Sequence, residues 1–408
     1  MSQTHFGSSE PRDGVPRGRH HAARKRPHSG GTNLEAFVKK SRKVVSSGLV
    51  ALLAAATLAA CGDAPEEETT GSEGGSSEAA SDFLPCIVSD AGGFDDKSFN
   101  QLGFEGAEQA AEELGAELKA VESNSENDYT SNLESLVGEG CDVIVTVGFA
   151  LASATKESAE ANPDIEYVLI DDSADGGEDG QTFDGKADVE NIKPLLYNTA
   201  EAAFLAGYAA ADYTKTGKVG TYGGMPFPTV TIFMDGFKQG AEYYAEENGK
   251  DVEVVGWDGK NGSFTGGFEA NEAATSTAKQ ILDQDVDVIL PVGGPIYQGA
   301  ITAIEDSGKD IAMIGVDADL YETDPSTQDY VMTSILKGMK VSTYEAVLAA
   351  GNDEFDFEPY VGTLENEGVG IAPFHNFEDK VSPELAGQLE EVKAGIIDGS
   401  IEVTSYLG

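Results

Sequence analysis

From Phe83 onward, short apolar runs alternate with longer segments in which apolar residues recur every three or four positions. Short apolar runs predict buried strands, and the longer period predicts amphipathic helices. Such repeated strand–helix–strand units favour a parallel sheet with helices on both faces. In the first set, the predicted strands are residues 86–89, 117–122, 142–147 and 166–171, and the predicted helices are residues 102–114, 128–138 and 150–161.

The same alternation is repeated after a long predicted helix at residues 194–213. In this second set the predicted strands are residues 218–222, 252–256, 286–291 and 312–316, and the predicted helices are residues 231–248, 271–284 and 296–307. Two sets of similar architecture, without obvious sequence repetition, indicate two α/β lobes, each a doubly wound parallel sheet.

The last part of the chain holds one short strand–helix unit and a closing segment. Its predicted elements are a strand at residues 330–335, a helix ending at Ala350, a strand at 368–374 and a helix at 382–398. Such a return indicates several crossings between the lobes, and therefore a hinge and a cleft. We assign residues 83–196 with 329–352 to lobe 1, and residues 197–328 with 353–408 to lobe 2.

The first 60 residues have the pattern of an N-terminal extension followed by an export signal. A basic cluster at residues 39–43 precedes 17 mostly apolar or small residues at 44–60, which end in Leu58-Ala-Ala-Cys61. This ending resembles the bacterial lipobox, which implies that Cys61 is lipidated and becomes the new N-terminus. The chain would then be anchored on the extracytoplasmic face of the cell membrane by lipid alone. The alternative is an N-terminal anchor helix, for which this stretch has about the shortest sufficient length.

Residues 61–82 are predicted to be a disordered acidic tether. From Gly62 to Asp82 there are seven acidic and no basic residues among Gly, Ser, Thr and Ala. Low hydrophobicity with high charge does not support a folded core.

The charge of the predicted mature chain excludes several classes of function. Residues 1–60 hold 10 of the 26 basic and 3 of the 72 acidic residues, which leaves 16 and 69 and a net charge of −53. Such a surface repels nucleic acid and anionic lipid. Of the five histidines only His375 follows Cys61, which speaks against a histidine-rich metal site or a His-based catalytic triad. Most enzymes that depend on imidazole are thereby excluded, whereas carboxylate-based chemistry is not. We predict no metal, no cofactor and no enzymatic activity.

Two cysteines remain after Cys61. Cys86 and Cys141 each open a predicted strand, and the strand order 2-1-3 of a doubly wound sheet would make those strands neighbours. An exported protein permits a disulfide between them; two buried free thiols are the alternative.

Polar and aromatic residues gather where the predicted strands end, which is where open α/β sheets bind ligands. Carboxylates and amides suit a neutral ligand rich in hydroxyl and N–H groups, and aromatic rings suit a flat ring held between them. A base with a ribose meets both demands, although each residue taken singly also has a structural explanation. The candidates are Asp95, Asp96, Asn100, Phe104, Asp171, Phe264, Gly294, Asp317 and Lys337.

Several segments resemble the signature of the basic membrane protein lipoproteins, also called purine nucleoside receptor lipoproteins. They include Ser-Asp-Ala-Gly-Gly-Phe-Asp-Asp-Lys-Ser-Phe-Asn-Gln at residues 89–101, Thr-Ser-Ile-Leu-Lys at 333–337 and Gly-Val-Gly-Ile-Ala-Pro-Phe at 368–374. The resemblance covers about residues 83–400. It implies a type I periplasmic-binding-protein fold and a substrate-binding subunit of an ATP-binding-cassette (ABC) nucleoside importer.

The resemblance also implies roles for the residues that recognise a purine base. Phe104 and Phe264 would stack on its two faces, and Asp171 would face its edge. Gly294 would offer a backbone N–H close to the ligand.

The remaining candidates would hold the ribose hydroxyls and part of the base. The resemblance assigns this role to Asp95 or Asp96 together with Asn100, and to Asp317 together with Lys337. Pairing Asp317 with Lys337 would keep the buried charges compensated.

The expected partners are a purine nucleoside and ABC permease subunits, with the chain itself a monomer. Other classes stay open from the residues alone. The same fold could bind a sugar or another small metabolite, the chain could be a surface adhesin-type lipoprotein, or paired carboxylates could hydrolyse a nucleoside.

Overall fold

A computed structural model of the chain describes residues 82–175 and 185–407. The predicted signal at residues 1–60, the lipidation site Cys61 and the tether up to residue 81 lie outside the described residues. Among those described, no helix combines the length and the apolar character needed to cross a membrane.

Lobe 1 is built on a six-stranded sheet in which all neighbouring strands run parallel, in the order β11–β5–β4–β3–β1–β2. The strands are β1 Pro85–Val88, β2 Lys119–Val121, β3 Val143–Val147, β4 Glu166–Ile170, β5 Ile192–Tyr197 and β11 Tyr360–Gly362. Helices α1 Phe99–Leu114, α2 Tyr129–Glu139, α3 Ala152–Ala161 and α9 Met339–Gly351 cover its faces. Every residue of β3 is buried, as expected for a central parallel strand.

Lobe 2 has a second six-stranded sheet in the order β12–β10–β9–β8–β6–β7, in which only β12 runs antiparallel to its neighbour. The strands are β6 Lys218–Gly223, β7 Glu253–Val255, β8 Val288–Val292, β9 Ala312–Asp317, β10 Val331–Lys337 and β12 Val369–Ile371. The helices are α4 Thr199–Tyr213, α5 Pro228–Asn248, α6 Glu272–Leu282, α7 Tyr297–Ser307, α8 Leu320–Thr323 and α10 Leu385–Ile397. The predicted α/β class with two doubly wound lobes is confirmed.

The lobe boundaries predicted for the last part of the chain need correction. Residues 329–337 were expected in lobe 1, but Val331–Lys337 pairs with Ala312–Asp317 in the sheet of lobe 2. Residues 353–362 were expected in lobe 2, but Tyr360–Gly362 extends the sheet of lobe 1 beside β5. Both errors concern which sheet a strand joins. That choice depends on long-range hydrogen bonds and not on local pattern.

The predicted helix at residues 194–213 is also corrected. The chain forms β5 up to Tyr197, and α4 begins only at Thr199. Proline is a common first residue of helices, which made Pro194 a plausible start. Pro194 instead belongs to a strand, because β5 pairs with β4 on one side and with β11 on the other.

Within the described residues the chain crosses between the lobes three times, after β5, after β10 and between β11 and β12. These crossings form the predicted multi-crossing hinge. Lys337 is the last residue of β10 and therefore lies at one of them.

Cys86 lies on β1 and Cys141 just before the adjacent β3. The structure joins them by a disulfide, with the two Cα atoms 5.9 Å apart.

Helices α4 and α5 approach each other unusually closely. A methyl group added at Gly207 would overlap the backbone carbonyl of Phe237, and one added at Gly240 would overlap the carbonyl of Phe204. Backbone contact at these points requires residues without a side chain.

We expect Gly240→Ala to push the two helices apart and lower the free energy of unfolding by about 1–3 kcal/mol. Urea titration measures this change. The matched control is Gly387→Ala in α10, where an added methyl meets nothing within 4 Å. That substitution should be neutral or slightly stabilising because alanine favours the helix. Equal losses in both variants would contradict the packing argument.

Candidate ligand-binding cleft between the lobes

The carboxyl ends of the parallel strands of the two sheets face each other across a cleft, and the lobes touch there. Ser98 Oγ of lobe 1 donates to the backbone carbonyl of Val316 in lobe 2 at 3.0 Å. Thr323 Oγ1 of lobe 2 donates to the carbonyl of Lys97 in lobe 1 at 2.7 Å. Two short polar bonds therefore tie the lobes together beside the start of α1.

A buried lysine joins two carboxylates at the hinge. Lys337 Nζ donates to Asp171 Oδ2 at 2.5 Å and lies 3.6 Å from Asp317 Oδ1. Asp171 directly follows β4 of lobe 1, whereas Asp317 ends β9 of lobe 2. One cation thus compensates charges that the two lobes bring together, and all three side chains are at most 8% exposed. We call these three residues the hinge cluster.

Aromatic rings surround the ammonium group of Lys337. Its Nζ lies 5.1 Å from the ring centres of Phe99 and Phe233 and 5.7 Å from that of Tyr197. Cation–π attraction strengthens when water is excluded, as it is here. The rings therefore add to the stabilisation that the carboxylates supply.

The surroundings raise the pKa values of both Lys337 and Asp317. Burial alone would lower the pKa of Lys337, but the carboxylates of Asp171 and Asp317 outweigh this effect and raise it. Burial raises the pKa of Asp317 to about 6 even though Lys337 opposes the rise, with Asp171 and Asp96 adding to it. Asp317 is therefore more easily protonated than an ordinary aspartate.

The backbone at both aspartates is left-handed, with φ +70° at Asp171 and +66° at Asp317. This conformation is uncommon outside glycine, and aspartate is among the residues that tolerate it best. Non-glycine residues held in it often mark functional sites. The conformation ends each strand abruptly and leaves the carboxylate in the cleft.

The loop before α1 is organised around Asp96. Its carboxylate accepts hydrogen bonds from the backbone N–H groups of Ser98 at 3.0 Å, Asn100 at 2.8 Å and Gln101 at 3.1 Å. The Asn100 amide donates to Asp90 at 2.8 Å and to Asp96 at 3.1 Å. Asp96 and Asn100 therefore shape the loop and the start of the helix.

Asp95 lies outside this network. Its side chain is 88% exposed and pairs with Lys97. Of the two alternatives left open by the sequence, Asp96 is the one that the structure places in the buried loop.

The two rings predicted to stack on a ligand each contact a ring of their own lobe. Phe104 lies 4.9 Å from Phe94 in lobe 1, measured between ring centres. Phe264 packs edge-on against Trp257 at 6.1 Å and bridges to Gly223 in lobe 2. Both rings are partly buried.

Three other phenylalanines meet across the cleft, and the sequence analysis did not select them. The ring of Phe149, just after β3, lies 4.5 Å from that of Phe227 and 6.1 Å from that of Phe268. Phe268 rests against the backbone at Gly224 and Gly293, where any side chain would overlap its ring. Phe149 and Phe227 follow strand ends, which was the one signal that could have found them.

A cavity of about 290 Å³ lies beside the hinge cluster and shares Asp171 with it. Its lining comes from both lobes and from the C-terminal end of the chain: Phe149, Asp171, Asp172, Leu196, Phe227, Pro228, Thr229 and Tyr406. Carboxylates lie in one part of the lining, and apolar side chains form most of the rest. Burial raises the pKa of Asp172. The volume is at the small end of the range for ligand sites in proteins.

Gly294 follows β8 with φ +49° and open space around its α-carbon. The predicted contact between its backbone N–H and a ligand stays a prediction. No group of three or more potential metal ligands is found in the part of the chain that the structure describes.

Two lobes with a binding cleft at a hinge define the class of extracytoplasmic solute-binding proteins, and comparison with known proteins identifies the family. The family "ABC transporter substrate-binding protein PnrA-like" matches residues 84–404, and the chain belongs to it. This family consists of binding proteins of ABC transporters and not of enzymes, in agreement with the prediction.

Named relatives point the same way. The chain is 31% identical to basic membrane protein A of Borreliella burgdorferi over 77% of this chain and 86% of the relative. It is 28% identical to the ABC transporter nucleoside-binding protein BmpA of Lactococcus lactis over 89% and 99% of the two chains. An ABC transporter solute-binding protein of Aeropyrum pernix has a solved structure with a TM-score of 0.69 and 26% identity, covering 80% of this chain and 94% of that one. The predicted family and fold are confirmed.

We expect Lys337→Met to lower the free energy of unfolding by about 3–5 kcal/mol, because two buried carboxylates would lose their shared cation. Denaturant titration at pH 7 measures the loss. Lys340→Met, which breaks a half-exposed pair with Glu105, is the matched control and should cost at most about 1 kcal/mol. A loss at Lys337 no larger than that of the control would contradict the stabilising role of the cluster.

Protonation of Asp317 should make stability depend on pH. Its pKa is raised in the folded chain to about 6, so the folded state binds the proton more tightly than the unfolded state. The stabilisation from that proton is present below the unfolded pKa near 3.8 and is lost as the pH rises through about 6.

In Asp317→Asn, we expect the fall in unfolding free energy between pH 3 and 7 to become shallower by roughly 3 kcal/mol in total. Denaturant titrations at half-unit pH steps give the slope. Asp95→Asn, which removes an exposed carboxylate outside the cluster, is the control and should leave the slope unchanged. An unaltered slope in Asp317→Asn would contradict the assignment.

Proposed function

We propose that this chain is a lipid-anchored receptor that binds a purine nucleoside between its lobes and delivers it to an ABC permease. The observation that carries the proposal is the hinge cluster. Asp171 from lobe 1 and Asp317 from lobe 2 come together at Lys337, next to a cavity lined by both lobes. A ligand bonded to both carboxylates would favour the closed arrangement over an open one.

The chemistry of the cleft suits a neutral ligand with hydroxyl and N–H groups. Ionised carboxylates only accept hydrogen bonds, and ribose hydroxyls and the N–H groups of a base are donors. A phosphate group would meet the negative charges of Asp171, Asp172 and Asp317, and among the described residues the one cation paired with them is Lys337. We therefore infer a nucleoside in preference to a nucleotide.

Aromatic side chains in the cleft support a flat ligand. We propose that Phe104 and Phe264 stack on the two faces of the base, as the family resemblance implies. Both rings are partly buried and neither is among the residues that line the cavity, so this assignment rests on the family resemblance. Asp96 and Asn100 would hold the loop that carries the ribose contacts, and Gly294 would donate its backbone N–H.

The relative from Lactococcus lactis is named a nucleoside-binding protein, which supports this ligand class for a chain that matches it along nearly its whole length. We propose lipidation at Cys61, a location on the extracytoplasmic face of the membrane, permease subunits as partners and a monomeric state. The Leu-Ala-Ala-Cys ending and the acidic residues that follow it support the anchor.

Titration calorimetry of the chain, unfolded and refolded to remove any copurified ligand, tests the proposal. We expect guanosine, inosine or adenosine to bind and ribose to give no heat, because the base carries much of the recognition. Ribose binding alone would instead indicate a sugar receptor. If no purine nucleoside produced a heat of binding, the proposed function would lose its support.

Phe104→Ala and Phe264→Ala test the stacking roles with the ligand that binds best. Each should weaken affinity by at least about fivefold, since base–aromatic stacking contributes roughly 1–3 kcal/mol. Phe357→Ala, an aromatic that is 42% exposed and lies outside the cleft, is the matched control and should leave affinity unchanged. Wild-type affinity in either test variant would exclude that ring from the site.

A further inference from the structure

The C-terminal tail follows a defined path from lobe 2 to the cleft. After α10, residues 400–407 run along α5, where Gln239 holds Thr404 by two bonds. The Gln239 side-chain amide donates to the Thr404 carbonyl at 2.9 Å and accepts from its N–H at 2.8 Å. Val403 and Leu407 pack, partly buried, against the core. The tail is therefore part of the folded lobe.

Tyr406 brings this tail to the cavity. It lines the cavity together with Asp171 and Asp172 of lobe 1 and with Phe227 of lobe 2. Burial raises the pKa of Tyr406, and the charges of Asp171 and Asp172 add to the rise. The side chain is nevertheless 38% exposed, as expected for a residue at the mouth of a cavity.

A buried hydroxyl lies in the lining near this tail. Thr229, in the first turn of the 21-residue helix α5, is 9% exposed and lines the same cavity. Its Oγ1 has no hydrogen-bond partner among the described residues. Buried hydroxyls are normally bonded, so an unpaired one beside a cavity indicates a contact to a bound molecule. The same lining therefore offers a ligand two polar groups. The hydroxyl of Thr229 can donate and accept a hydrogen bond, and the carboxylate of Asp172 can accept one.

We propose that Tyr406 forms a wall of the ligand cavity supplied by the C-terminal tail, and that Asp172 and Thr229 beside it receive a hydroxyl- or N–H-bearing part of the ligand. The tail then has to move, or the lobes have to open, before the ligand leaves. The identification of the ligand as a nucleoside rests on the proposed function. The proposal that Tyr406 closes the cavity does not depend on that function.

Access to the cavity can be measured without a ligand. A cysteine introduced by Thr229→Cys, in a chain that also carries Cys61→Ser, is the only free thiol because Cys86 and Cys141 are bonded to each other. A small thiol reagent should label it several-fold faster when Tyr406→Ala is added. Phe357→Ala, a similarly exposed aromatic elsewhere, should leave the rate unchanged. An unchanged rate in Tyr406→Ala overturns the proposal, whatever the ligand.

Ligand release is the second readout, in the chain with Thr229 intact. With the purine nucleoside that binds the wild type, Tyr406→Ala should raise the dissociation rate measured by stopped-flow fluorescence. Gln239→Ala, which releases the anchor of the tail, should act in the same direction. In the double variant the two effects should not add, because both act through the position of Tyr406. Fully additive effects, or an unchanged rate in Tyr406→Ala, would overturn the role in retaining ligand.

The two proposals fail in distinguishable ways. Faster labelling in Tyr406→Ala with no nucleoside bound by the wild type would remove the proposed function and support the wall. If a nucleoside bound but the labelling and release rates were unchanged in Tyr406→Ala, the proposed function would be supported and the proposal that Tyr406 forms a cavity wall would be contradicted.

Discussion

A single buried cation holds the centre of this protein together. Lys337 is the last residue of a strand in lobe 2, yet its ammonium group bonds to Asp171 of lobe 1 and lies beside Asp317 of its own lobe. Removing charges from water is costly, and the arrangement is tolerated because the charges compensate one another and aromatic rings enclose the ammonium group. The hinge, the lobe contact and the cavity all meet at this cluster.

Lys337 is a buried cation in a chain that has far more acidic than basic residues. The predicted mature chain has a net charge of −53, so its surface carries many more carboxylates than cations. Surface carboxylates stay in water and mainly determine solubility and which partners are repelled. In the cleft, by contrast, aspartate carboxylates are buried, and a buried carboxylate needs a specific cation or hydrogen-bond donor as its partner. Burial at this position raises the pKa of Asp317 to about 6.

Much of the fold and part of the site could be predicted from local pattern. Alternating apolar runs and helical periods identified most strands, and strand ends identified Asp171, Asp317 and Lys337, which the structure brings together. Strand β5 was missed because Pro194 and the alanine-rich segment after it look like a helix start. Phe149 and Phe227 follow strand ends but were not selected, and Phe268 was missed because nothing in its local sequence separates a cleft aromatic from a core one.

By itself, the sequence determined the α/β class, the two-lobed plan and the family resemblance, because apolar periodicity and short motifs are properties of neighbouring residues. Only the tertiary structure decided that β10 belongs to lobe 2 and β11 to lobe 1, since strand pairing joins residues far apart in the chain. It also decided that Asp96 and not Asp95 is buried, and that Tyr406 reaches the cavity. Side chains from five separate segments of the chain meet there, and such a meeting depends on how the whole chain packs.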